Sequence, residues 1–236
     1  MYQLFDMIIN KLKKTVNNEY KRSEWIKKRL EEIPHGQKIL DAGCGSQQYR
    51  VYCNHLKYFA QDFGNFTIDE KKSLTAFVAD YKYGKLNYTG NIWEIDEKDS
   101  FFDIILCSEV FEHIPWPDRT VMEFSRLLVK GGILLLTVPS NCLRHMDPYF
   151  YFSGFSDRYI DFILKQYGFE NIQIKPVGSY HEWLMVESFR SIKNGGFFAW
   201  MCLFPAFIYH YIKQIRVDES DINTLCMGYH VIAQKK

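Results

Sequence analysis

Two glutamates and a histidine stand close together in the stretch SEVFEHIPWP, residues 108–117. If this stretch forms one helical turn, Glu109, Glu112 and His113 share a face, because residues three and four apart are neighbours on a helix. Pro115 would end the turn, since the residue before a proline is disfavoured in the helical conformation. Carboxylates with an imidazole can hold a divalent metal ion or remove a proton. Polar residues on a surface turn are more often solvated or make local hydrogen bonds, so the surroundings must decide.

A glycine loop follows the first buried apolar run of the chain. The segment ILDAGCGSQQ places Asp41, Gly43 and Gly45 at a strand end, and Asp62 closes the next apolar run. Glycines there let a ligand approach the backbone, and an acid about 20 residues later can bind a ribose diol. The spacing predicts a nucleoside cofactor, with a tight structural turn as the alternative for the loop alone.

The kind of nucleoside is predicted from charge and from a missing glycine. A dinucleotide fingerprint GxGxxG that started at Gly43 would need a glycine where Gln48 stands. This disfavours NAD and a nucleotide-sugar oxidoreductase. Asp41, at the mouth of the loop, would repel a pyrophosphate and attract the sulfonium and ammonium groups of S-adenosylmethionine. We therefore expect S-adenosylmethionine.

Apolar runs alternate with helical patterns along the chain, which predicts an α/β fold with a parallel sheet. The strands are expected at 38–42, 57–61, 101–107, 133–138, 171–177 and 224–233. A helix is expected between the third and fourth of these runs, with Pro117 at its start. Ser156 is placed to cap a later helix.

Composition indicates an ordinary globular protein. The chain has 236 residues, of which 47% are hydrophobic and 24% charged, with a formal net charge of +1. A nucleic-acid-binding domain would be more basic throughout, so we expect no nucleic-acid partner. The six cysteines show no disulfide-framework spacing and the N-terminus has no secretory signal pattern, which favours reduced thiols and a cytoplasmic location.

We predict a basic, amphipathic helical arm over residues 1–35 and a single domain over 36–236. A helical, apolar insertion is expected at about 180–216, before the last strand. Its segment 197–212, FFAWMCLFPAFIYHYI, is nearly all apolar. Because the segment contains Pro205 and is shorter than the roughly 20 residues of a membrane span, we expect a buried or interface helix. A homo-oligomer stays open, and membrane contact ranks second.

The motifs ILDAGCG, FAQDF and FFDIILCSEVFEHIP, followed by FSRLLVKGGILLLTVPS, resemble class I S-adenosylmethionine-dependent methyltransferases. The resemblance covers roughly residues 36–178 and is to the broad bacterial group with an EVxEH signature. It implies a Rossmann-like fold with a mostly parallel seven-stranded sheet and an antiparallel last strand. The cofactor-binding residues that it implies are Asp41, Gly43 and Gly45 around the methionine half, Asp62 on the ribose, Asn91 and Ile92 beside the adenine, and Ser108.

Two positions depart from the family pattern. Asn91 stands where an aspartate is common, so it can meet the adenine amino group through its carbonyl oxygen but without charge. Gln47 stands at the third glycine of the family's GxGxG pattern.

The ExxEH turn looks like the metal-binding motif of the ubiquinone-pathway O-methyltransferases and the small-RNA 3′-end 2′-O-methyltransferases. This likeness implies a divalent ion on Glu109, Glu112 and His113, with His145 as a further ligand. Without a metal, His113 would be a general base, with Glu109 beside it. A purely structural turn is the third reading.

The resemblance implies methyl transfer to a small-molecule or glycan acceptor, which we expect to be methylated on an oxygen. The alternatives are an N- or C-methyltransferase, and an inactive cofactor-binding scaffold subunit. The aromatic run at 145–155 is expected to line the acceptor pocket, because loops after strands carry specificity.

Overall fold

A computed structural model describes residues 18–64 and 83–236. Residues 1–17 of the predicted basic arm therefore lie outside the described residues. Within the described part of the arm, helix α1 spans Asn18–Glu31 and buries Ile26 and Leu30.

The described residues form the expected α/β fold around one seven-stranded sheet. The strands are β1 Lys38–Ala42, β2 Lys57–Asp62, β3 Tyr88–Thr89, β4 Phe102–Ser108, β5 Leu128–Pro139, β6 Phe169–Val177 and β7 Gly228–Lys235. Their order is β3-β2-β1-β4-β5-β7-β6, with parallel pairing from β3 through β5. The strand order changes direction at β1 and β4, and the carboxyl ends next to such a switch are where open α/β sheets bind ligands.

The last strand is antiparallel, as predicted. The Lys236 N–H donates to the Gly168 carbonyl, and the Met227 N–H donates to the Val177 carbonyl. The end of β7 therefore lies beside the start of β6, and its start lies beside the end of β6. The Rossmann-like fold class is confirmed.

Four further helices complete the described chain: α2 Pro117–Leu127, α3 Asp157–Gln166, α4 Tyr180–Lys213 and α5 Glu219–Thr224. Helix α2 starts at Pro117, as expected for a proline in the first turn. The Ser156 hydroxyl caps α3 by accepting the Tyr159 N–H at 3.1 Å, which confirms the predicted cap. Val121 and Phe124 of α2 are fully buried in the main core.

The described residues divide into two compact units. One contains residues 18–25 and Pro176–Gly228, and the other contains Ile26–Lys175 and Tyr229–Lys236. The second unit holds nearly all of the sheet. The domain boundaries proposed from the sequence stay a prediction.

Helix α4 folds back on itself as a helical hairpin. Gly196 interrupts it with φ 67° and ψ −159°, a conformation that only glycine adopts readily. Beyond the break, Nδ1 of His210 lies 2.9 Å from Nδ1 of His181, 29 residues earlier. A continuous helix would hold these residues about 43 Å apart. The two segments, 180–195 and 197–213, therefore run antiparallel.

The second segment of this hairpin is largely exposed. Phe197 and Phe198 are 77% and 72% exposed, and Phe207 is the apolar residue of the segment that is buried. The expected burial of segment 197–212 is not found in the described chain, because its apolar residues surround the helix and the first segment covers one side only. The alternative expectation, an interface helix, stays a prediction. By length and composition alone, the stretch Tyr180–Arg216 contains an 18-residue window that is apolar enough to cross a membrane, with a mean hydropathy of 1.3.

Candidate functional site

The glycine loop after β1 is held close to its neighbours by backbone hydrogen bonds. The Gly43 N–H lies 2.9 Å from the Gln61 carbonyl oxygen and 3.1 Å from Oε1 of the same residue. Gly43 has φ +73°, and a Cβ there would lie 2.5 Å from a methyl of Val110. The loop therefore requires glycine both for its conformation and for the approach of the turn after β4.

Asp62 braces the same loop from the end of β2. One carboxylate oxygen accepts the Gly45 N–H at 2.8 Å, and the other accepts the Phe63 N–H at 2.7 Å. The side chain is buried, and burial raises its pKa above the ordinary value. Two of its lone pairs are thus engaged by the backbone, which fixes the carboxylate at the carboxyl edge of the sheet.

Asp41 lies beneath the loop rather than at its mouth. It is 3% exposed and accepts a hydrogen bond from the Tyr58 hydroxyl. Its pKa is raised to about 7, chiefly by burial and to a lesser extent by the nearby Asp62 charge, against the opposing effect of the Tyr58 hydrogen bond. Near neutral pH this carboxyl therefore exchanges a proton readily.

A cavity of about 270 Å³ opens at this edge of the sheet. The predicted site residues that line it are Gly43, Gly45, Asp62, Asn91, Ile92, Glu109 and His113. The predicted residues outside its lining are Asp41, Ser108, Glu112 and His145. The glycine loop, the predicted ribose-binding residue Asp62 and the turn after β4 thus meet at one cavity.

Further side chains line the cavity without having been predicted individually. They are Gln61, Phe63, Trp93, Val110, Ile114, Pro115, Met146, Tyr149 and Tyr151, with Gly90. Met146 and the two tyrosines come from the aromatic run after β5, which was expected to line an acceptor pocket. Gln61 carried no sequence signal, since an amide before the acid of β2 has no motif of its own. Its Nε2 donates to the Gly90 carbonyl at 2.8 Å and so joins two loops of the cavity.

The turn after β4 differs from the predicted helical turn. Only Phe111–His113 is helical, as a 3-10 turn, and Glu109 has φ +55°. The Glu109 N–H donates to the Thr137 carbonyl at 3.1 Å, so this residue continues the pairing of β4 with β5. The prediction that Glu109 shares a helical face with Glu112 and His113 is wrong for this reason.

The end of this turn is as predicted. Ile114, before Pro115, is extended with ψ 142°. Ser108 and Glu109 form a hydroxyl and carboxylate chain with Thr137, whose Oγ1 lies 3.0 Å from the Ser108 hydroxyl and donates to Glu109 Oε1 at 3.1 Å.

His113 and His145 lie together with a buried carboxylate. Their ring centroids are 4.6 Å apart, and Oε1 of the 2%-exposed Glu112 lies 3.8 Å from Nε2 of His113. One ligand atom from each of these three residues lies within 4.8 Å of the others. Among the described residues, Glu109 is not part of this group.

The tautomers of both imidazoles follow from their partners. Nδ1 of His113 lies 2.8 Å from the Tyr149 carbonyl oxygen, and Nδ1 of His145 lies 2.8 Å from the Leu143 carbonyl oxygen. A carbonyl only accepts, so each Nδ1 carries the proton and each neutral ring has its lone pair on Nε2. Burial, with His145 as a second cause, lowers the pKa of His113 to about 4, so this ring is neutral at pH 7.

Such a group can bind a divalent cation or accept a proton beside the cavity. Two imidazoles and a carboxylate are ligands for Zn²⁺, Fe²⁺ or Mn²⁺ and do not choose among them. A proton acceptor whose pKa is about 4 is weak for a hydroxyl, which favours the ligand role over the base role.

The chain matches one protein family and several curated proteins. Residues 15–174 match the family described as "Methyltransferase domain". The ubiquinone biosynthesis O-methyltransferase of Coxiella burnetii is 31% identical over 119 residues, which are 49% of this chain and 48% of that protein. The chain thus spans about half the length of the curated relatives that it matches.

Solved structures share the fold. A sarcosine dimethylglycine methyltransferase from Galdieria sulphuraria, named as putative, aligns with 92% of this chain and 86% of its own, at 17% identity and a TM-score of 0.55. Phosphoethanolamine N-methyltransferase 2 of Haemonchus contortus, in complex with S-adenosyl-L-methionine, aligns with 92% of this chain and 52% of its own, at 18% identity and a TM-score of 0.54. At these identities the likeness is one of fold.

Proposed function

Because the chain belongs to the family of methyltransferase domains, we propose that it transfers a methyl group from S-adenosylmethionine to an oxygen of a small-molecule or glycan acceptor. The observation that carries the oxygen assignment is the group formed by Glu112, His113 and His145 at the cavity. A neutral amine or an already formed carbanion can attack a sulfonium methyl as it stands, whereas a neutral hydroxyl is a poor nucleophile until it loses its proton. Two imidazole lone pairs held in fixed positions beside a carboxylate are suited to promoting the loss of that proton.

In this proposal the cofactor lies along the carboxyl edge of β1, β2 and β4. Gly43 and Gly45 allow the methionine half to approach the backbone, and Asp62 accepts hydrogen bonds from the ribose hydroxyls. Nδ2 of Asn91 donates to Glu94 Oε1, which leaves Oδ1 as an acceptor for the adenine amino group. Ile92 would pack against the adenine ring, and Ser108 would border the methionine half.

Asp41 would supply a negative charge below the sulfonium and ammonium groups. Its pKa of about 7 means that a cation bound nearby would favour the ionised form and release a proton. Asp41 thus acts on the cofactor through charge rather than through contact with the cavity.

The transfer is a displacement at the sulfonium methyl. The acceptor oxygen forms a bond to the methyl carbon, the carbon–sulfur bond breaks, and S-adenosylhomocysteine leaves. The hydroxyl proton passes to a base or to solvent. The protein chiefly aligns the acceptor with the methyl group, and Tyr149 and Tyr151 offer flat surfaces and hydroxyls for that purpose.

The residues present fit a divalent ion, which we include in the proposal. Glu112, His113 and His145 would hold it through one carboxylate oxygen and two Nε2 atoms. When bound there, the ion would lower the pKa of an acceptor hydroxyl. The alternative is that His113 itself takes the proton without a metal, a role that its low pKa disfavours.

Methyl transfer from labelled cofactor to a panel of phenols, glycans and amines tests this function. Mass spectrometry then locates the added methyl. Products methylated on oxygen support the proposal, and products methylated only on nitrogen or carbon overturn it.

Three variants separate the roles of the cluster. With an ion, His113→Ala and His145→Ala both abolish turnover while cofactor binding survives, and a chelator stops the reaction until Mg²⁺, Mn²⁺ or Zn²⁺ is restored. The exposed His35 lies outside the cavity, so His35→Ala is the matched control. With His113 as a metal-free base, the chelator has no effect. Turnover at the wild-type level in both His113→Ala and His145→Ala would show that the turn has only a structural role.

A further inference from the structure

The second segment of the α4 hairpin presents a continuous apolar stripe to its surroundings. The stripe consists of Phe197, Met201, Phe204, Ile208 and Ile212, and it continues to Ile215 in the 3-10 turn Gln214–Arg216 that follows. Steps of three and four residues place these side chains on one side of a helix. Their exposed fractions run from 38% at Ile208 to 77% at Phe197.

The opposite side of the same segment is packed within the hairpin. Phe207 forms a small buried cluster with Met185 and Val186 of the first segment. His210 meets His181, and Nε2 of Gln214 lies 3.2 Å from the Met185 sulfur. The hairpin thus buries its own inner side, and the apolar stripe is the outer side that it leaves in water.

The segment that carries the stripe contains basic residues and no acidic ones. Residues 188–216 contain Arg190, Lys193, Lys213 and Arg216 and no aspartate or glutamate. Arg190 pairs with Glu187 at 3.3 Å, and Asp218 and Glu219 follow the range, so Lys193, Lys213 and Arg216 are the basic side chains that border the stripe. An apolar helix side bordered by lysine and arginine is complementary to an interface of acyl chains and anionic headgroups.

We propose that the α4 hairpin binds the surface of a lipid bilayer containing anionic lipids, with the stripe lying in the plane of the interface. Trp200 and Tyr209 flank the stripe, and their rings favour the depth of the headgroups. Lys193, Lys213 and Arg216 contact lipid phosphates. The proposal concerns attachment alone and does not depend on which acceptor the chain methylates.

Two other arrangements fit the observations less well. A second copy packed through the same stripe would bring two sets of basic residues together with no acidic partner among residues 188–216. A membrane span is disfavoured because the segment after Gly196 has about 17 residues, roughly 26 Å of helix, with Pro205 inside it. The hairpin base also carries the polar group of His181, His210 and Asp221.

Sedimentation of the full chain with liposomes tests the proposal, without cofactor or acceptor. Vesicles of phosphatidylcholine with about 30% phosphatidylglycerol should pellet the chain, and pure phosphatidylcholine should do so more weakly. The double variant Phe197→Ser/Phe204→Ser should lose the binding. Phe162→Ser is the matched control, because Phe162 of α3 is also exposed, at 62%, and lies outside the hairpin.

A charge variant tests the anionic preference. Lys193→Gln and Lys213→Gln together should weaken binding to the anionic vesicles by about fivefold per lysine and leave the weaker binding to neutral vesicles unchanged. Analytical ultracentrifugation of the same proteins measures their oligomeric state and so shows whether a second copy of the chain covers the stripe. The proposal is overturned if the wild-type chain pellets with neither kind of vesicle. It is also overturned if the wild-type chain is a dimer that binds no vesicles and the double variant is a monomer.

Discussion

Asp62 is held in place by the backbone before any ligand arrives, because the N–H groups of Gly45 and Phe63 occupy its two oxygens. A carboxylate fixed in this way loses little side-chain freedom when it accepts hydrogen bonds from a ribose diol. This makes Asp62 the residue whose removal should most directly weaken cofactor binding.

We expect Asp62→Ala to weaken the binding of S-adenosylmethionine by roughly 1.5–3 kcal/mol, the value of charge-assisted hydrogen bonds. Isothermal titration calorimetry measures this change. Asp161→Ala is the control, since Asp161 lies on α3 in an exposed ion pair with Lys165. An affinity equal to that of the wild type would reject the ribose assignment.

Asp41 should make stability depend on pH. Its folded pKa of about 7 is above the ordinary 3.8, so the folded chain retains a proton that the unfolded chain has lost. Stability from this group is present below about pH 4 and is lost as the pH rises through about 7.

Asp41→Asn should therefore show a smaller decline in the free energy of unfolding between about pH 5 and about pH 8, by up to about 3 kcal/mol. The carboxamide oxygen can still accept the Tyr58 hydroxyl, so the packing is conserved. Urea unfolding of the cofactor-free protein at both values measures the difference. Equal declines in the variant and the wild type would show that Asp41 does not titrate in this range.

At the scale of elements, the turn after β4 packs closely against the loop between β1 and the 3-10 turn at Arg50–Tyr52. The residues that this loop can accommodate depend on that packing. Gly43 stands at the contact, beside the proposed methionine site. Strand β4 and the loop after it thus determine what residue the first loop can tolerate.

Gly43→Ala should destabilise the protein more than Gly168→Ala. Both glycines have positive φ, +73° and +81°, so both variants carry backbone strain of about 1–2 kcal/mol. Only at Gly43 would the new methyl meet Val110, and such overpacking costs about 1–3 kcal/mol in addition. Urea unfolding and cofactor titration measure both effects. Equal losses in the two variants would contradict the close contact.

At the scale of the whole molecule, the cavity and the hairpin belong to different compact units. Every residue that lines the cavity lies within Ile26–Lys175. A bound ligand stabilises the part of a chain whose native state it contacts.

S-adenosylmethionine should therefore slow amide hydrogen exchange in β1, β2 and the turn at Phe111–His113, and leave the exchange of Phe197–Lys213 unchanged. Hydrogen-exchange mass spectrometry with and without the cofactor measures both regions in one experiment. Equal protection of the hairpin would show that the two units respond together.

The sequence alone led to the family, the fold class, the antiparallel last strand and the end of the turn before Pro115. The α/β fold class and the end of the turn depend on local rules, namely apolar periodicity and the restriction before proline. The antiparallel last strand was implied by the resemblance to class I methyltransferases. The glycine loop and Asp62 could be paired because adjacent parallel strands bring their carboxyl ends to one edge. The cytoplasmic location and the lack of a nucleic-acid partner stay predictions.

Only the tertiary structure decided which polar groups meet and which apolar groups stay exposed. Glu109 left the predicted helical face because β5 supplies Thr137 as its partner, and His145 reached His113 because the loop after β5 folds over the β4 turn. Both contacts join residues about 30 apart, beyond the reach of any local pattern. The apolar character of 197–212 was plain from the sequence, but hydrophobicity has no direction, so only the fold of the hairpin showed which side its own chain leaves uncovered.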